Sequence, residues 1–594
     1  MSTTTLQRPP AGLRATSPNK DWLRALELTA NLGNAPTRTL PLVIDELAER
    51  FGDAPALLSE REELSFRQLA ERARRYARWA MDHGLGAGDV VALMMPNRPE
   101  YMAIWLGLSR LGVITALINT QLRGASLAHC LNVARPRHII VDASLSAGLA
   151  AVAQTLDGAP QIWLHGAAMT DWRIDLAVDA YDEDALAALD APSVTLSDRA
   201  LLIYTSGTTG LPKAANVSHH RLMSWSHWFA GLMDVQPTDR LYDCLPMCHS
   251  AGGVAAIGAA LVGGASVVVA EKFSARRFWD DIARWDCTLV QYIGELCRYL
   301  TAAPPHPLER EHSLRLCCGN GLSGDLWVDF QQRFAIPRIL EFYAATEGNF
   351  SLYNVEGKPG AIGRLPPFLK HRFPAAIVRF DPEAGAPARG PDGLCIACAS
   401  GEAGEAIGRI GEAARFEGYT DVAASESKLL RGVFEPGDAW VRTGDLMYTD
   451  DQGFYYFVDR VGDTFRWKGE NVATAEVAAA VRAFPGVVDA CVYGVEVPGA
   501  SGKAGMAALV AGPAFDLAAF RAHLAQRLPD YARPPFLRLV ESLDVTETFK
   551  LKKQALAAEG WDATGVLVYD RAGGGYVSLD GAFRARILAG EARL

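Results

Sequence analysis

Hydrophobic positions in the first part of the chain follow two periods in turn, and this predicts helices interleaved with strands. Residues 66–80 place apolar side chains three and four positions apart, which predicts a helix. Ser65 can cap its first turn, and Gly84 follows its end. Continuous apolar runs predict strands over residues 90–95, 113–118 and 138–142, with a helix over residues 101–111. This order predicts α/β layers around buried sheets.

The same order continues beyond residue 250. Ser274 is predicted to cap a helix that runs through Trp285, and a strand follows over residues 288–293. Residues 251–270 carry no charge and are long enough to span a membrane. Five glycines interrupt this stretch, and the Gly263-Gly264 pair divides it. It is therefore predicted to be a buried helix, a turn and a strand over residues 267–269.

The pattern changes near residue 459, where shorter strands and helices follow one another. Strands are predicted over residues 453–460, 487–495, 506–510 and 536–540, and helices over residues 475–481 and 517–528. The predicted fold class is α/β, with a large layered N-terminal domain and a smaller α+β C-terminal domain. The predicted boundaries are a polar tail over residues 1–40, a large domain over 41–458 and a small domain over 459–594.

Composition narrows the class of protein. The chain has 594 residues, 49% of them hydrophobic and 21% charged, so it is long enough for more than one core. A net charge of −10 argues against a nucleic-acid partner. Ten dispersed cysteines and the absence of an apolar segment in the first forty residues predict a reduced, cytoplasmic setting. Peripheral contact with the inner face of a membrane stays open, and nothing defines an oligomeric state.

A loop rich in glycine and hydroxyl groups is the first sign of chemistry. It contains Tyr204, Thr205, Ser206, Gly207, Thr208, Thr209, Gly210 and, after Leu-Pro, Lys213. Glycines allow backbone N–H groups to approach an anion, and hydroxyls and a lysine add donors. The loop is therefore predicted to hold phosphate. It differs from the common nucleotide loop, because a strand instead of a helix is predicted after the lysine.

Further polar clusters follow at wide intervals. They lie at residues 343–348, 441–445, 459–460 and 468–471 and at Lys550. Between them they offer an aromatic face, hydroxyls, carboxylates and cations. A nucleotide needs a stacking surface, an acceptor for its ribose hydroxyls, phosphate donors and a carboxylate for magnesium.

In this order the clusters resemble the adenylate-forming superfamily of acyl-CoA synthetases, luciferases and adenylation domains, from about residue 40 to the end of the chain. Four longer runs resemble the branch of fatty acid transport proteins and very-long-chain acyl-CoA synthetases. These runs are residues 273–280, 290–300, 463–477 and 493–499. The resemblance implies an ATP-dependent fatty acid–CoA ligase that uses Mg²⁺ and coenzyme A.

The resemblance also implies roles for individual residues. The loop from Thr205 to Gly210, with Lys213, would hold the β- and γ-phosphates. Thr346 would bond the α-phosphate and Glu347 would hold Mg²⁺. Lys550 would bridge the fatty acid carboxylate and the α-phosphate. His249 matches a position beside the acyl and thiol sites, where a histidine of the core is the competing interpretation.

Binding of the nucleoside and of coenzyme A is assigned in the same way. The implied residues are Gly319, Asn320 and Gly321 along the adenine, Tyr343 stacked on it, Asp445 and Arg460 on the ribose hydroxyls, and Gly469 beside the pantetheine. A C-terminal domain that carries both Lys550 and Gly469 is predicted to be mobile and to present each in turn.

Two features depart from the family pattern. Phe549 stands where many relatives have glycine before the catalytic lysine, and Lys552 and Lys553 are rival candidates for that lysine. Gly462 occupies the usual hinge position, so Asp459 or Asp463 could share the hinge role.

Alternative functions also stay open at this point. The acid could be of the bile-acid, carnitine or aryl type. The protein could be an uptake factor that acts by trapping fatty acids, or an adenylation domain that loads a carrier protein. The predicted partners are the small-molecule substrates fatty acid, ATP and CoA.

Overall fold

The structure is a computed structural model. It describes residues 17–167, 170–181, 194–205, 211–382, 384–411, 414–468, 470–498, 500, 502–546, 551–570, 574–589 and 591. Several predicted site residues lie outside these ranges. They are Ser206, Gly207, Thr208, Thr209, Gly210, Gly469 and Lys550.

Two largely parallel sheets form the centre of the N-terminal domain. The first has the strand order Ser351–Asn354, Ile339–Ala344, Leu316–Asn320, Leu289–Ile293, Arg240–Asp243, Ser266–Val269, Pro55–Leu58 and Glu63–Ser65. The second has the order Gln161–His165, His138–Asp142, Val90–Met94, Ile114–Leu117, Arg199–Thr205 and Lys213–Ser218. The inner strands are buried almost completely, as expected for parallel sheets that are covered on both faces.

Helices cover these sheets and connect their strands. The α-helices of the described N-terminal residues are Pro18–Ala30, Leu40–Phe51, Phe66–Asp82, Pro99–Arg110, Gly124–Ala134, Ser146–Ala150, Ile174–Asp179, His219–Met233, Ile257–Val262, Phe278–Arg284, Gly294–Ala302, Gly324–Arg333 and Val422–Glu426. The predicted cap at Ser65 is confirmed, because its side chain accepts from the Gln68 N–H while Gln68 bonds back to the Ser65 N–H. Gly84 follows the helix end with φ of 64°, a left-handed conformation that glycine adopts without strain.

The predicted helix cap at Ser274 is wrong. The helix begins at Phe278, and Arg277 occupies the cap position. Ser274 contributes its backbone carbonyl, which accepts hydrogen bonds from the N–H groups of Arg277 and Phe278. The chain therefore makes one extra turn before the helix, and the side chain of Ser274 makes no cap.

The uncharged stretch over residues 251–270 folds as predicted into helix, turn and strand. A π-helix, Ser250–Ala256, leads into the α-helix Ile257–Val262, and the strand Ser266–Val269 follows in the first sheet. Gly264 turns the chain with φ of 78°, and a side chain there would meet the ring of Phe51 at 2.4 Å. Within the described ranges, no helix combines the length and hydrophobicity needed to cross a bilayer.

An antiparallel sheet completes the N-terminal domain and leads into the C-terminal domain. Its strand order is Gly363–Arg364, Phe454–Arg460, Ala439–Thr449, Gly404–Arg409 and Ala375–Val378, and Leu429–Arg431 pairs with Ala439–Thr449. Two short ribbons pair Phe380–Asp381 with Ala386–Pro387 and Phe465–Trp467 with Glu470–Val472.

The C-terminal domain has its own sheet and its own core. The strand order is Val487–Glu496, Lys503–Ala511, Phe536–Leu539, Val566–Asp570 and Gly575–Ser578. The helices Thr474–Arg482, Leu517–Arg527, Lys553–Glu559 and Gly581–Leu588 belong to the same domain. Its buried apolar side chains form a cluster that runs from Phe465 to Ile587. The structure confirms the predicted fold class, a large α/β domain followed by a smaller α+β domain. The predicted boundary at residue 459 stays a prediction.

One ion pair joins the two domains. Arg298 on the helix Gly294–Ala302 lies 3.0 Å from Asp489 on the strand Val487–Glu496, and it also pairs with Glu295 at 2.7 Å. Both side chains of the Arg298–Asp489 pair are mostly buried, so the contact is shielded from solvent more than a surface pair is.

Candidate active site

The turn that follows the strand Leu316–Asn320 allows unusually close backbone contact. A side chain on Gly319 would lie 2.2 Å from the carbonyl oxygen of Tyr292, so only glycine fits there. Gly321 has φ of 83°, and its carbonyl oxygen would lie 1.8 Å from a side chain on Gly294. The end of a parallel strand next to a tight turn is where α/β folds place nucleotides. The turn residues Gly319, Asn320 and Gly321 therefore occupy a suitable place for their predicted role.

A buried carboxyl group supports this turn, and no sequence pattern predicts it. Glu341, fully enclosed in the core, accepts hydrogen bonds from the Leu322 N–H at 3.1 Å and from the hydroxyl of Tyr292. Burial raises the pKa of Glu341 to about 8. The carboxyl group of Glu341 fixes the residue that follows Gly321 and so positions the turn.

This carboxyl group predicts a pH dependence of stability. Because the folded state holds the proton up to about pH 8 and the unfolded state loses it near the ordinary glutamate pKa of 4.5, the free energy of unfolding should fall as pH rises across that interval. Ionisation of this group should lower the free energy of unfolding by up to about 1.4 kcal/mol per pH unit. Glu341→Gln should remove this component and flatten the curve of thermal midpoint against pH. Parallel curves for the two proteins would contradict the prediction.

Three of the predicted nucleoside-binding residues meet in space. The hydroxyl of Tyr343 donates a hydrogen bond to the carboxylate of Asp445. Asp445 and Arg460 are directly opposite each other on neighbouring strands, with Nε of Arg460 3.8 Å from Oδ1 of Asp445. An aromatic ring, a carboxylate acceptor and a cation thus lie together, although more than a hundred residues separate the first from the last.

The predicted phosphate and metal residues lie beside this group. The hydroxyl of Thr346 lies 3.0 Å from that of Ser250, so the start of the π-helix contacts the same site. Glu347 is 8% exposed, and its Oε1 lies 3.5 Å from Nζ of Lys428. Burial, followed by the charge of the nearby Glu347 carboxylate, raises the pKa of Tyr419.

A buried arginine holds the backbone on both sides of Glu347. Arg221, on the helix His219–Met233, donates one N–H to the carbonyl of Thr346 and another to that of Gly348 at 2.8 Å. Its Nε lies 3.8 Å from Glu417. Burial lowers the pKa of Arg221, which is only 8% exposed. A single arginine in a helix gives no sequence signal for such a position, because its partners are backbone atoms far along the chain.

The ends of the predicted phosphate loop reach the same place. Thr205 and Lys213 are paired across the two strands that frame the loop. Tyr419 forms a β-bridge with Ala215 on the second of these strands, and Nζ of Lys213 lies 5.6 Å from the centroid of the Tyr419 ring. Tyr204 differs, because it is buried in the core and its hydroxyl donates to the carbonyl of Cys130 at 2.7 Å. The Tyr204 side chain therefore packs in the core, and the predicted nucleotide contact of this segment stays a prediction.

His249 lies at the start of the π-helix, as its N-cap residue, next to Ser250. Its carbonyl accepts a hydrogen bond from the Gly253 N–H at 2.8 Å. π-Helices are rare and occur mostly at functional sites. The side chain of His249 is half-buried, and its position beside the Ser250–Thr346 contact fits the predicted place near the acyl group.

The hinge candidates have different surroundings. Asp459 is buried, and its carboxylate accepts from the backbone N–H of Thr474. Asp463 pairs with Lys553 at 2.9 Å, and the same amine donates to the Thr474 hydroxyl at 2.8 Å. Lys553 therefore makes its contacts inside the C-terminal domain, and the choice of Lys550 as the catalytic lysine stays a prediction.

The donor groups around Glu347 fit a magnesium ion. In the part of the chain that the structure describes, no three His, Cys, Asp or Glu side chains cluster as metal ligands. Magnesium in nucleotide sites is typically held by one or two carboxylates together with the phosphates of the substrate and water. The carboxylate of Glu347 follows directly after Thr346, the predicted phosphate residue, and would supply the one carboxylate that such a site needs.

Solved structures share this architecture. An anthranilate CoA ligase in complex with anthranoyl-AMP has a TM-score of 0.74 and 22% identity, and the likeness covers 87% of this chain and 96% of that one. ATP-bound MatB from Rhodopseudomonas palustris has a TM-score of 0.73 and 24% identity, with 87% and 98% covered. The fold is that of the adenylate-forming enzymes.

Sequence comparison then defines the family. The profile of the AMP-binding enzyme family matches residues 44–379, and that of the AMP-binding enzyme C-terminal domain matches residues 476–550. Long-chain fatty acid transport protein 1 of Mus musculus is 40% identical over 574 residues, which are 93% of this chain and 88% of that protein. The chain belongs to the AMP-binding enzyme family, in the branch of the long-chain fatty acid transport proteins. The resemblance stated from the motifs is confirmed.

Proposed function

We propose that the protein joins a long- or very-long-chain fatty acid to coenzyme A in an ATP-dependent reaction that passes through an acyl-adenylate. The contact between Tyr343, Asp445 and Arg460, next to Thr346 and Glu347, carries the proposal. These groups offer a stacking ring, an acceptor for the ribose hydroxyls, a hydroxyl for the α-phosphate and a carboxylate for magnesium. The loop over residues 206–210 and Lys550, which complete the proposed site, lie outside the described ranges.

In the first step an oxygen of the fatty acid carboxylate attacks the α-phosphorus of ATP. The bond from that phosphorus to the bridging oxygen breaks, and pyrophosphate leaves with the electron pair. Two anions must approach each other, so cations and aligned donors supply most of the catalysis. Thr346 and Lys550 bind the α-phosphate, and Lys213 and the loop residues hold the departing phosphates. Magnesium, held by Glu347, adds positive charge at the phosphates when bound.

In the second step the thiol of coenzyme A, after losing its proton, attacks the acyl carbonyl carbon. AMP leaves with the electron pair of the broken C–O bond, and the thioester is formed. Lys550 and the pantetheine residue Gly469 lie on one domain, so we propose that the C-terminal domain presents them in turn. Residues 459–464 would act as the hinge, with Gly462 as its most easily rotated member.

We place the activity in the cytoplasm, with peripheral contact at the inner face of the membrane. The ten cysteines, all inside the described ranges, form no disulfide, which supports a reduced compartment. Acyl-CoA is charged and cannot diffuse back across a bilayer, so ligation would also trap fatty acids that enter the cell. Uptake then follows from the enzyme activity.

A turnover assay across a panel of acids tests this proposal. The purified protein is incubated with ATP, Mg²⁺, CoA and fatty acids of short to very long chain, together with bile-acid, carnitine and aryl acids. Pyrophosphate release and acyl-CoA mass are measured for each acid, and we expect turnover with long or very long chains. Turnover confined to another acid would overturn the substrate class. Binding of fatty acids without any turnover would overturn the enzyme proposal and favour an uptake factor.

A further inference from the structure

Lys428 lies between the residues predicted to bind the nucleoside and the carboxylate of Glu347, which is predicted to hold the metal. It follows the short helix Val422–Glu426, and its carbonyl accepts a hydrogen bond from the N–H of Arg442 at 2.8 Å. This pairing holds Lys428 against the turn that contains Thr443 and Gly444. Its Nζ lies 3.3 Å from the carbonyl oxygen of Thr443 and 3.5 Å from Oε1 of Glu347.

The turn next to this amine carries Gly444. Gly444 has φ of 77°, and a side chain at that position would lie 3.9 Å from Nζ of Lys428. The turn also carries Asp445, which pairs with Tyr343 and Arg460 on its other side. The amine therefore has the nucleoside cluster on one side and the carboxylate of Glu347 on the other.

We propose that Lys428 binds the α-phosphate of the nucleotide. In an adenosine phosphate, the α-phosphate is the group that joins the ribose to everything beyond it. Asp445 and Arg460 are assigned to the ribose, and Glu347 is assigned to the metal at the phosphates. The amine of Lys428 lies between Asp445 and Glu347, which is the expected position of the α-phosphate. This inference rests on the proposed function for those three assignments.

The present contacts of the amine leave capacity for a phosphate. An ammonium group has three donors. Among the described residues, its contact with Glu347 at 3.5 Å is longer than a strong charge-assisted hydrogen bond of about 2.8 Å. Arg221 already fixes the backbone around Glu347, so that carboxylate does not need Lys428 as its anchor. The side chain is 25% exposed, which gives it access to a ligand.

The position of Lys428 on the large domain gives it a role distinct from that of Lys550. Lys550 belongs to the domain that is proposed to rotate, so it reaches the α-phosphate in only one orientation. Lys428 stays in place when AMP departs in the second step. It should therefore stabilise the charge on the α-phosphate in both half-reactions.

Binding of AMP without metal tests this directly. Lys428→Met keeps the length of the side chain and removes its charge, and Lys428→Arg restores the charge. By calorimetry on the full-length protein, we expect Lys428→Met to weaken AMP binding about 10-fold or more, with partial recovery in Lys428→Arg. Adenosine lacks the phosphate, so its affinity should not change. Lys370→Met, at an exposed position on the same domain, is the matched control and should bind AMP as the unsubstituted protein does.

Kinetics of the separate steps give a second readout. Lys428→Met should slow both acyl-AMP formation and thiol attack on supplied acyl-AMP, each about 10-fold. An unchanged ratio of AMP to adenosine affinity, or a change only in the Mg²⁺ concentration needed for half-maximal rate, would overturn the proposal. If Lys428→Met fails to fold, the same affinity ratio in Lys428→Arg and Lys428→Gln decides the question. Because AMP binding needs no fatty acid, failure of the turnover assay with every acid would leave this test intact.

Discussion

Replacing Lys550 by alanine is expected to abolish acyl-AMP formation and to leave thiol attack on supplied acyl-AMP largely intact. The first step forms a bond between two anions, and removing a cation that touches both should slow it by about 10²–10³-fold. The second step is proposed to follow rotation of the C-terminal domain, which would move this lysine away from the reacting atoms. The two steps are measured separately, as fatty acid-dependent exchange of pyrophosphate into ATP and as conversion of acyl-AMP to acyl-CoA.

The neighbouring lysines supply the controls for this experiment. Lys552 is exposed, and Lys552→Ala should leave both steps unchanged. Lys553 holds Asp463 and Thr474, so Lys553→Ala should lower the thermal midpoint without separating the two steps. Equal losses in both steps for Lys550→Ala would show that the assignment is wrong. A loss of the first step alone in Lys552→Ala would transfer the role to Lys552.

The fold was predictable where helix caps and glycine turns depend on residues that are neighbours in the sequence. Capping at Ser65, the left-handed turn at Gly84 and the division at Gly264 all depend on neighbouring residues in the sequence, and the structure confirms them. The predicted cap at Ser274 was wrong because a serine before an apolar run can interact with a helix in two ways. Its side chain can cap a helix, or its carbonyl can close an extra turn, and the sequence does not distinguish the two.

The site was predictable only in part, for a related reason. Tyr343, Asp445 and Arg460 carry the chemistry in recognisable motifs, so they could be named before their contacts were known. Arg221 and Glu341 act through backbone atoms of distant segments, and single charged residues give no sign of such partners. Tyr204 shows that membership of a motif does not reveal where the side chain lies, since its hydroxyl bonds to a carbonyl of the core.

Glu347→Gln is expected to reduce acyl-AMP formation by about 10²–10³-fold. Glutamine keeps the shape and the hydrogen-bond acceptor of the side chain but removes the charge that magnesium requires, and a bound metal is worth several kcal/mol of charge stabilisation. The backbone around residue 347 should not move, because Arg221 holds the carbonyls of Thr346 and Gly348. Binding of ATP should lose most of its dependence on Mg²⁺, as measured by calorimetry with and without the metal.

Metal-free AMP separates a loss of metal from damage to the nucleotide pocket. In Glu347→Gln the amine of Lys428 keeps the carbonyl of Thr443 and loses a competing anion, so AMP affinity should be unchanged or higher. Glu356→Gln is the matched control, since that carboxylate is also partly buried and paired, with Arg364 at 2.7 Å, and should leave both steps unaffected. A parallel fall of AMP affinity and turnover in Glu347→Gln would mean that this carboxylate shapes the nucleotide pocket. Because Arg221 holds the backbone on both sides of Glu347, we expect the charge of Glu347 to matter for the metal and not for the fold.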